Sequence, residues 1–244
     1  MPSSRALAAA ACLAGALLAG CASHAPAPHG AVRGPDASGQ EWLQSDVNRM
    51  ATLAMQANLD SLYRLMDKLY QRNPRQWRSA GHTNRAQAMA GVRRAIAQQQ
   101  PWAPLEGRRD VAALALALSP DFAGDRVAAF IHATADMIVT AHGGKTSFYL
   151  TDSLDAQHLY NAARNVEIAV WLLAQRRGAE GRPLLLADAF GPDVRNLSFE
   201  REFGKVIARL DLLAQVGAEK YRRAAISTVQ GLAGGTLLQF LPVR

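Results

Sequence analysis

Cysteine is nearly absent from this 244-residue chain: the two it carries, Cys12 and Cys21, both lie within the first 21 residues. From Ala22 onward there is no thiol, which excludes disulfide staples, thiolate nucleophiles and Cys-ligated zinc or iron–sulfur centres from that part. The His-Glu-x-x-His string of zinc proteases and the Gly-x-Ser-x-Gly string of a nucleophile elbow are also missing. No segment recurs at the roughly 20–50-residue period of a solenoid. Strand-type sequence is scarce as well, because only Thr146 to Thr151 reads as extended and it is too short to found a sheet. With no fingerprint for a nucleotide, a metal or a prosthetic group, no cofactor is expected.

The N-terminus carries the strongest positive signal. Met1 to Arg5 holds one positive charge, and Ala6 to Leu18 runs without a polar side chain. That is the charged segment and apolar core of a secretory signal peptide, and the run is too short for a membrane span of about 20 residues. It closes as Leu18-Ala19-Gly20-Cys21, and here the chain resembles the lipobox-type lipoproteins of bacteria. The resemblance implies cleavage before Cys21, diacylglycerol on its sulfur and an acylated new N-terminus, so that residues 1–20 are a removed signal peptide. Such acyl chains exceed the two anchoring signals that stable membrane attachment needs. Ala22 and Ser23 follow Cys21 with no Asp beside it, which by resemblance to lipoprotein sorting implies the outer membrane, facing the periplasm.

Residues 21–40 are rich in Ala, Pro, Gly, His and Ser, too poor in large apolar groups to fold, and read as a flexible tether. Residues 41–244 are long enough to bury a core and read as one domain. Without Arg5 the balance is 26 basic against 20 acidic residues, or +6. In an exported, lipid-anchored chain that charge reads first as a merely solvated surface and next as a match for anionic lipid headgroups or acidic glycans; the partners expected are another envelope protein or an anionic envelope component, and no nucleic acid.

Helical spacing dominates this region, so the expected fold class is all-α: a single globular bundle of about six to eight helices behind the lipidated tether. From Glu41 to Arg72 one face collects Leu43, Val47, Met50, Ala54, Leu59, Leu62, Met66 and Leu69. Asn73-Pro74 starts a short helix that Gly81 ends. Asn84–Gln100 and Arg108–Leu118 form two more, split by Pro101 and Pro104. Ser119-Pro120-Asp121 starts a helix that runs to Gly143-Gly144, and Asp152 or Ser153 caps the next, whose buried face is Leu159, Ala162, Val166, Ala169 and Leu173. A last helix begins at Ser198, with Phe199, Phe203, Val206, Leu210 and Leu213 inward. The apolar run from Ala224 to Val243 reads as a buried core helix, its Gly231 and Gly235 marking close packing. Three strings, residues 69–74, 142–146 and 196–203, are similar to a group of proteobacterial envelope lipoproteins; the likeness implies location and fold and supplies no catalytic residue.

The candidate site centres on the double glycine. Gly143-Gly144-Lys145-Thr146 ends like a phosphate-binding loop but lacks the loop's earlier glycine, Val139 or Thr140 occupying that region, and follows a helix instead of a strand. His132 and Asp136 share a helix face at a spacing of four, His142 ends that helix, and His158 and Asn161 share a face of the next with Asn165 nearby. If the two helices pack as a hairpin around the turn, His132, Asp136, His142, Lys145, His158 and Asn161 converge into one ligand pocket. The competing expectation is that each polar group satisfies a helix end or a buried carbonyl. The expected function is a non-catalytic binding or assembly module of the envelope; the alternative is an enzyme acting on envelope polymers or lipids around His132, Lys145 and His158.

Overall fold

A computed structural model describes residues 39–190 and 195–238; the side chains of 40, 41, 190, 195 and 231–238 are not described, and Cys21 with the rest of residues 1–38 lies outside. From Gln40 onward the described residues form one compact unit. Its described part is all-α: α1 (Asp46–Arg72), α2 (Pro74–Ser79), α3 (Arg85–Ala97), α4 (Asp110–Ala117), α5 (Arg126–Ala141), α6 (Ala156–Gln175) and α7 (Ser198–Leu238). The 3-10 turns Gly39–Leu43 and Ala103–Leu105 accompany them. Two-residue strands, β1 (Ala189–Phe190) and β2 (Arg195–Asn196), pair antiparallel before α7.

The centre of the bundle is α5. Every residue from Val127 to Ala135 is buried, as expected of a helix that is apolar on all sides. It packs against α1, α3, α4 and α6, while α7 lies along α6 and α1. The inward stripes expected on α6 and on the first half of α7 are all buried, and Phe203 meets Phe130 edge-on at 6.2 Å.

Several starts differ from the periodicity. The first helix begins at Asp46 instead of Glu41, because the Ser45 hydroxyl accepts the Asn48 N–H at 3.3 Å and fixes the end there, leaving Trp42 and Leu43 exposed. Its first half also buries a face turned by one residue from Val47, Met50 and Ala54: Asn48, Ala51, Thr52, Met55 and Asn58 point inward. Polar side chains win these places because they serve buried backbone. Thr52 Oγ1 accepts the Phe148 N–H at 3.0 Å, and Asn48 Nδ2 donates to the Tyr149 and Asp152 carbonyls. Residues 146–151 therefore form turns tied to α1 and not an extended segment.

Asp125, and not Ser119-Pro120-Asp121, caps α5, its Oδ1 accepting from Ala128 N at 3.0 Å. The earlier residues make a separate turn closed by Arg126, which donates to the Phe122 and Pro120 carbonyls. Asp155, two residues past the expected cap, starts α6 by accepting the Gln157 and His158 amides. Asn73 does not cap α2; its side chain instead donates to Leu69 O and Leu186 O and accepts Leu186 N–H.

The largest departure is α7. The expectation of a buried helix from Ala224 to Val243 fails over the described part, since every residue from Glu219 to Gln230 is exposed. Helix α7 continues past Gly217, its last buried residue among those described, because nothing between Leu213 and Leu238 breaks it, although residues 218–230 are exposed. No described helix is long and apolar enough to cross a membrane. The packing role of Gly231 and Gly235 lies outside the described side chains.

Candidate functional site

The expected site residues divide among three depressions instead of converging. His132 and Asp136, one turn apart on α5, face the connection 98–109 across a cleft of about 560 Å³ whose far end reaches Gly143 and Gly144. His158 and Asn161 are exposed on α6 and line a depression of about 280 Å³ with Met137 and Ala141 of α5. His142 and Lys145 border a third, of about 230 Å³, beside Phe148 and Asp152. Helical geometry explains the division, because Asp136 and Met137 are successive and point about 100° apart, toward different neighbours.

The glycine turn itself is occupied. Gly143 and Gly144 hold φ of 71° and 74°, and their N–H groups donate to the Thr140 and Val139 carbonyls as a helix stop. Those amides are spent within the helix end, so they do not form a phosphate cradle. Lys145 pairs with Asp152, whose Oδ2 also accepts the Tyr149 N–H. The Lys145 hydrogen bond, ahead of that amide, holds the Asp152 carboxyl below the usual range. His142 is 2 % exposed and donates from Nδ1 to Ile138 O at 2.8 Å, so it closes α5. Lys145 and His142 thus have structural work, and Asn161 accepts from Gln157 along its own helix.

The first cleft has the richest chemistry. His132 is 6 % exposed, and its Nε2 lies 2.9 Å from Gln100 O, an acceptor that requires the proton on Nε2. Burial, outweighing the Gln100 bond, pushes the imidazole below its ordinary 6.5, so the ring is neutral near pH 7. Its Nδ1 is therefore a bare acceptor, buried and with no hydrogen-bond partner. Trp102 stands beside it, ring centroids 5.4 Å apart and planes tilted 30°, and the indole Nε1–H is likewise buried without a partner. Each such orphan costs about 1–3 kcal/mol.

At the rim Arg109 grips Asp136 with two prongs, Nε to Oδ2 at 3.0 Å and Nη2 to Oδ1 at 2.9 Å, and also donates to Thr140 Oγ1 at 2.6 Å. Arg108 pairs with Glu106 at 3.6 Å. The connection carries backbone strain: the non-glycine residues with positive φ in the described chain are Gln99, Glu106 and Asp110, all in or next to it. Left-handed backbone at such residues costs on the order of 1–2 kcal/mol each and clusters where a loop does something beyond linking.

Sequence reasoning found His132 and Asp136 but missed Trp102, Arg109 and the Gln100 carbonyl. The only trace of the first was a tryptophan between Pro101 and Pro104, in a stretch too short to bury it locally. A second cavity, about 630 Å³, lies between the end of α6 and the start of α7 and is walled by Leu173, Leu185, Phe199 and Phe203. Of its two carboxylates, Asp188 and Glu200, the first spends both oxygens on the Phe199 and Glu200 amides, capping α7. Among the described residues no three His, Asp or Glu side chains gather where a metal ion would sit.

Compared with protein-family models, curated proteins and solved structures, the chain gives no match.

Proposed function

We propose that the chain is a lipoprotein of the bacterial envelope, anchored through lipid on Cys21 at the outer membrane, whose helical domain is a non-catalytic binding or assembly module on the periplasmic side. The observation that carries this reading is the sequence of charged start, apolar run and Leu18-Ala19-Gly20-Cys21. A folded unit that begins near residue 40, after a Pro- and Ala-rich stretch, agrees with a domain held at the end of a tether. The basic surplus suits an anionic envelope component as a further partner.

The enzymatic alternative required His132, Lys145 and His158 in one place, and they line three separate depressions. Asp136 is held in an ion pair by Arg109, which withdraws it from work as a free base. Both points favour binding over catalysis.

Replacement of Cys21 by Ser removes the acceptor for lipid. Labelled fatty acid should enter the wild-type chain and not the Cys21→Ser variant, and the variant should leave the membrane fraction. Label in the variant, or wild type found free in the periplasm, overturns the reading.

A further inference from the structure

Two buried nitrogens in one wall need opposite partners. Trp102 Nε1 is a donor and neutral His132 Nδ1 an acceptor, both unpaired in the wall of the 560 Å³ cleft. A carboxylate offers only acceptors and an ammonium only donors, whereas a hydroxyl both accepts and donates. The charged groups at the rim are already matched, Arg109 with Asp136 and Arg108 with Glu106, so no unbalanced charge there selects an ion. The volume lies within the roughly 300–1,000 Å³ of small-molecule sites, and the partly exposed indole of Trp102 adds a flat apolar surface.

We infer that the cleft between residues 98–109 and α5 binds an uncharged, hydroxyl-bearing ring, a sugar, with Trp102 and His132 as its contact residues. The inference deepens the binding-module reading by giving that module a ligand class. Both nitrogens are covered in the closed cleft, so the connection must move outward to admit the ring. The left-handed residues Gln99 and Glu106 within it and Asp110 at its end mark where the backbone turns, and relaxation there would favour the open form.

The test uses the full-length chain, isotopically labelled and titrated with chitotriose, with maltotriose and, as the charged comparison, with inorganic phosphate. The readouts are the His132 Nδ1 and Trp102 indole nitrogen resonances. At millimolar concentration at least one sugar should shift both resonances saturably, and phosphate should shift neither. Trp102→Phe and His132→Phe should each weaken the sugar by about tenfold or more, the loss of a hydrogen bond to a buried partner. Lys145→Ala and His158→Ala, in the other depressions, should leave it unchanged. If His132→Phe fails to fold, Trp102→Phe with an unaltered circular dichroism spectrum decides the matter. Silence of both resonances toward both sugars overturns the inference and indicates that Trp102 and His132 satisfy each other or a water molecule. An equal response to phosphate, or equal weakening by Lys145→Ala, overturns it as well. The anchor is read separately: release of Cys21→Ser from membranes alongside a silent titration removes the ligand inference and leaves the lipoprotein reading standing.

Discussion

Thr52 is 2 % exposed, and its hydroxyl works three times: it donates to Asn48 O at 2.9 Å one turn back, accepts the Phe148 N–H at 3.0 Å and accepts from Gln44 Nε2 at 3.3 Å. The second bond fastens the turn after Gly144 onto α1. Thr52→Val keeps the shape and removes all three bonds, leaving the Phe148 amide buried and unpaired. Loss of about 1–3 kcal/mol is expected, with most of it restored in Thr52→Ser, as read from urea midpoints at constant slope. A Val variant as stable as wild type would mean that the Phe148 amide finds another acceptor. Asn48 and Thr52 were invisible to an apolar count because they occupy inward positions as polar groups, and their value depends on a segment about 100 residues away.

Among the elements, α7 shows how far packing and propensity can part. Its first half is held by Phe199, Phe203, Val206, Leu210 and Leu213, and by a polar seam in which Glu202, 7 % exposed, takes Lys205 at 2.7 Å and Arg64 at 3.2 Å. Arg209 reaches across to Ser61 Oγ at 3.2 Å and Asn58 Oδ1 at 3.3 Å. Beyond Ala214 the described residues are almost all exposed, with only Gly217 buried, and Ile226 and Val229 face solvent. A chain ending after Arg223 should therefore unfold at the same temperature as the full chain, since no described contact with the core is removed. A clear fall in Tm would show that residues 224–244 cover part of the bundle.

For the whole molecule the acid response follows from two histidines. Burial, ahead of the carbonyl bonds to Gln100 and Ile138, holds both His132 and His142 below 6.5. Between 6.5 and those lowered values the unfolded chain binds more protons than the folded one, so stability rises with pH there. It is fully present above 6.5 and is lost as pH falls through the window. Asp125 acts in the opposite direction. Burial outweighs its bonds to Ala128 and Tyr70 and raises its carboxyl above 3.8, so its contribution is present at low pH and is lost as pH rises through the raised value. Glu202, where burial is overruled by Lys205 and Arg64, sits below 4.5 and adds a loss at still lower pH. Denaturant stability should thus decline on acidification below 6.5, and His142→Leu should flatten the decline by removing one of the two sites. An unchanged slope in both His142→Leu and His132→Leu would sink this account.

Local chemistry sufficed wherever an element is specified within its own few turns. The all-α class, the stop at Gly143-Gly144 and the inward stripes of α6 and of the first half of α7 could be read from residue spacing alone, because period and glycine conformation act over a handful of neighbours. The lipobox expectation is equally local. Which residues share a cavity is not local. His132 and His158 sit on helices that pack together, yet whether they meet depends on the rotation of each helix about its axis. That rotation is set by the jigsaw of the whole core. Tertiary structure alone therefore separated the histidines, placed Trp102 beside His132 and Arg109 on Asp136, and left residues 218–230 of α7 exposed.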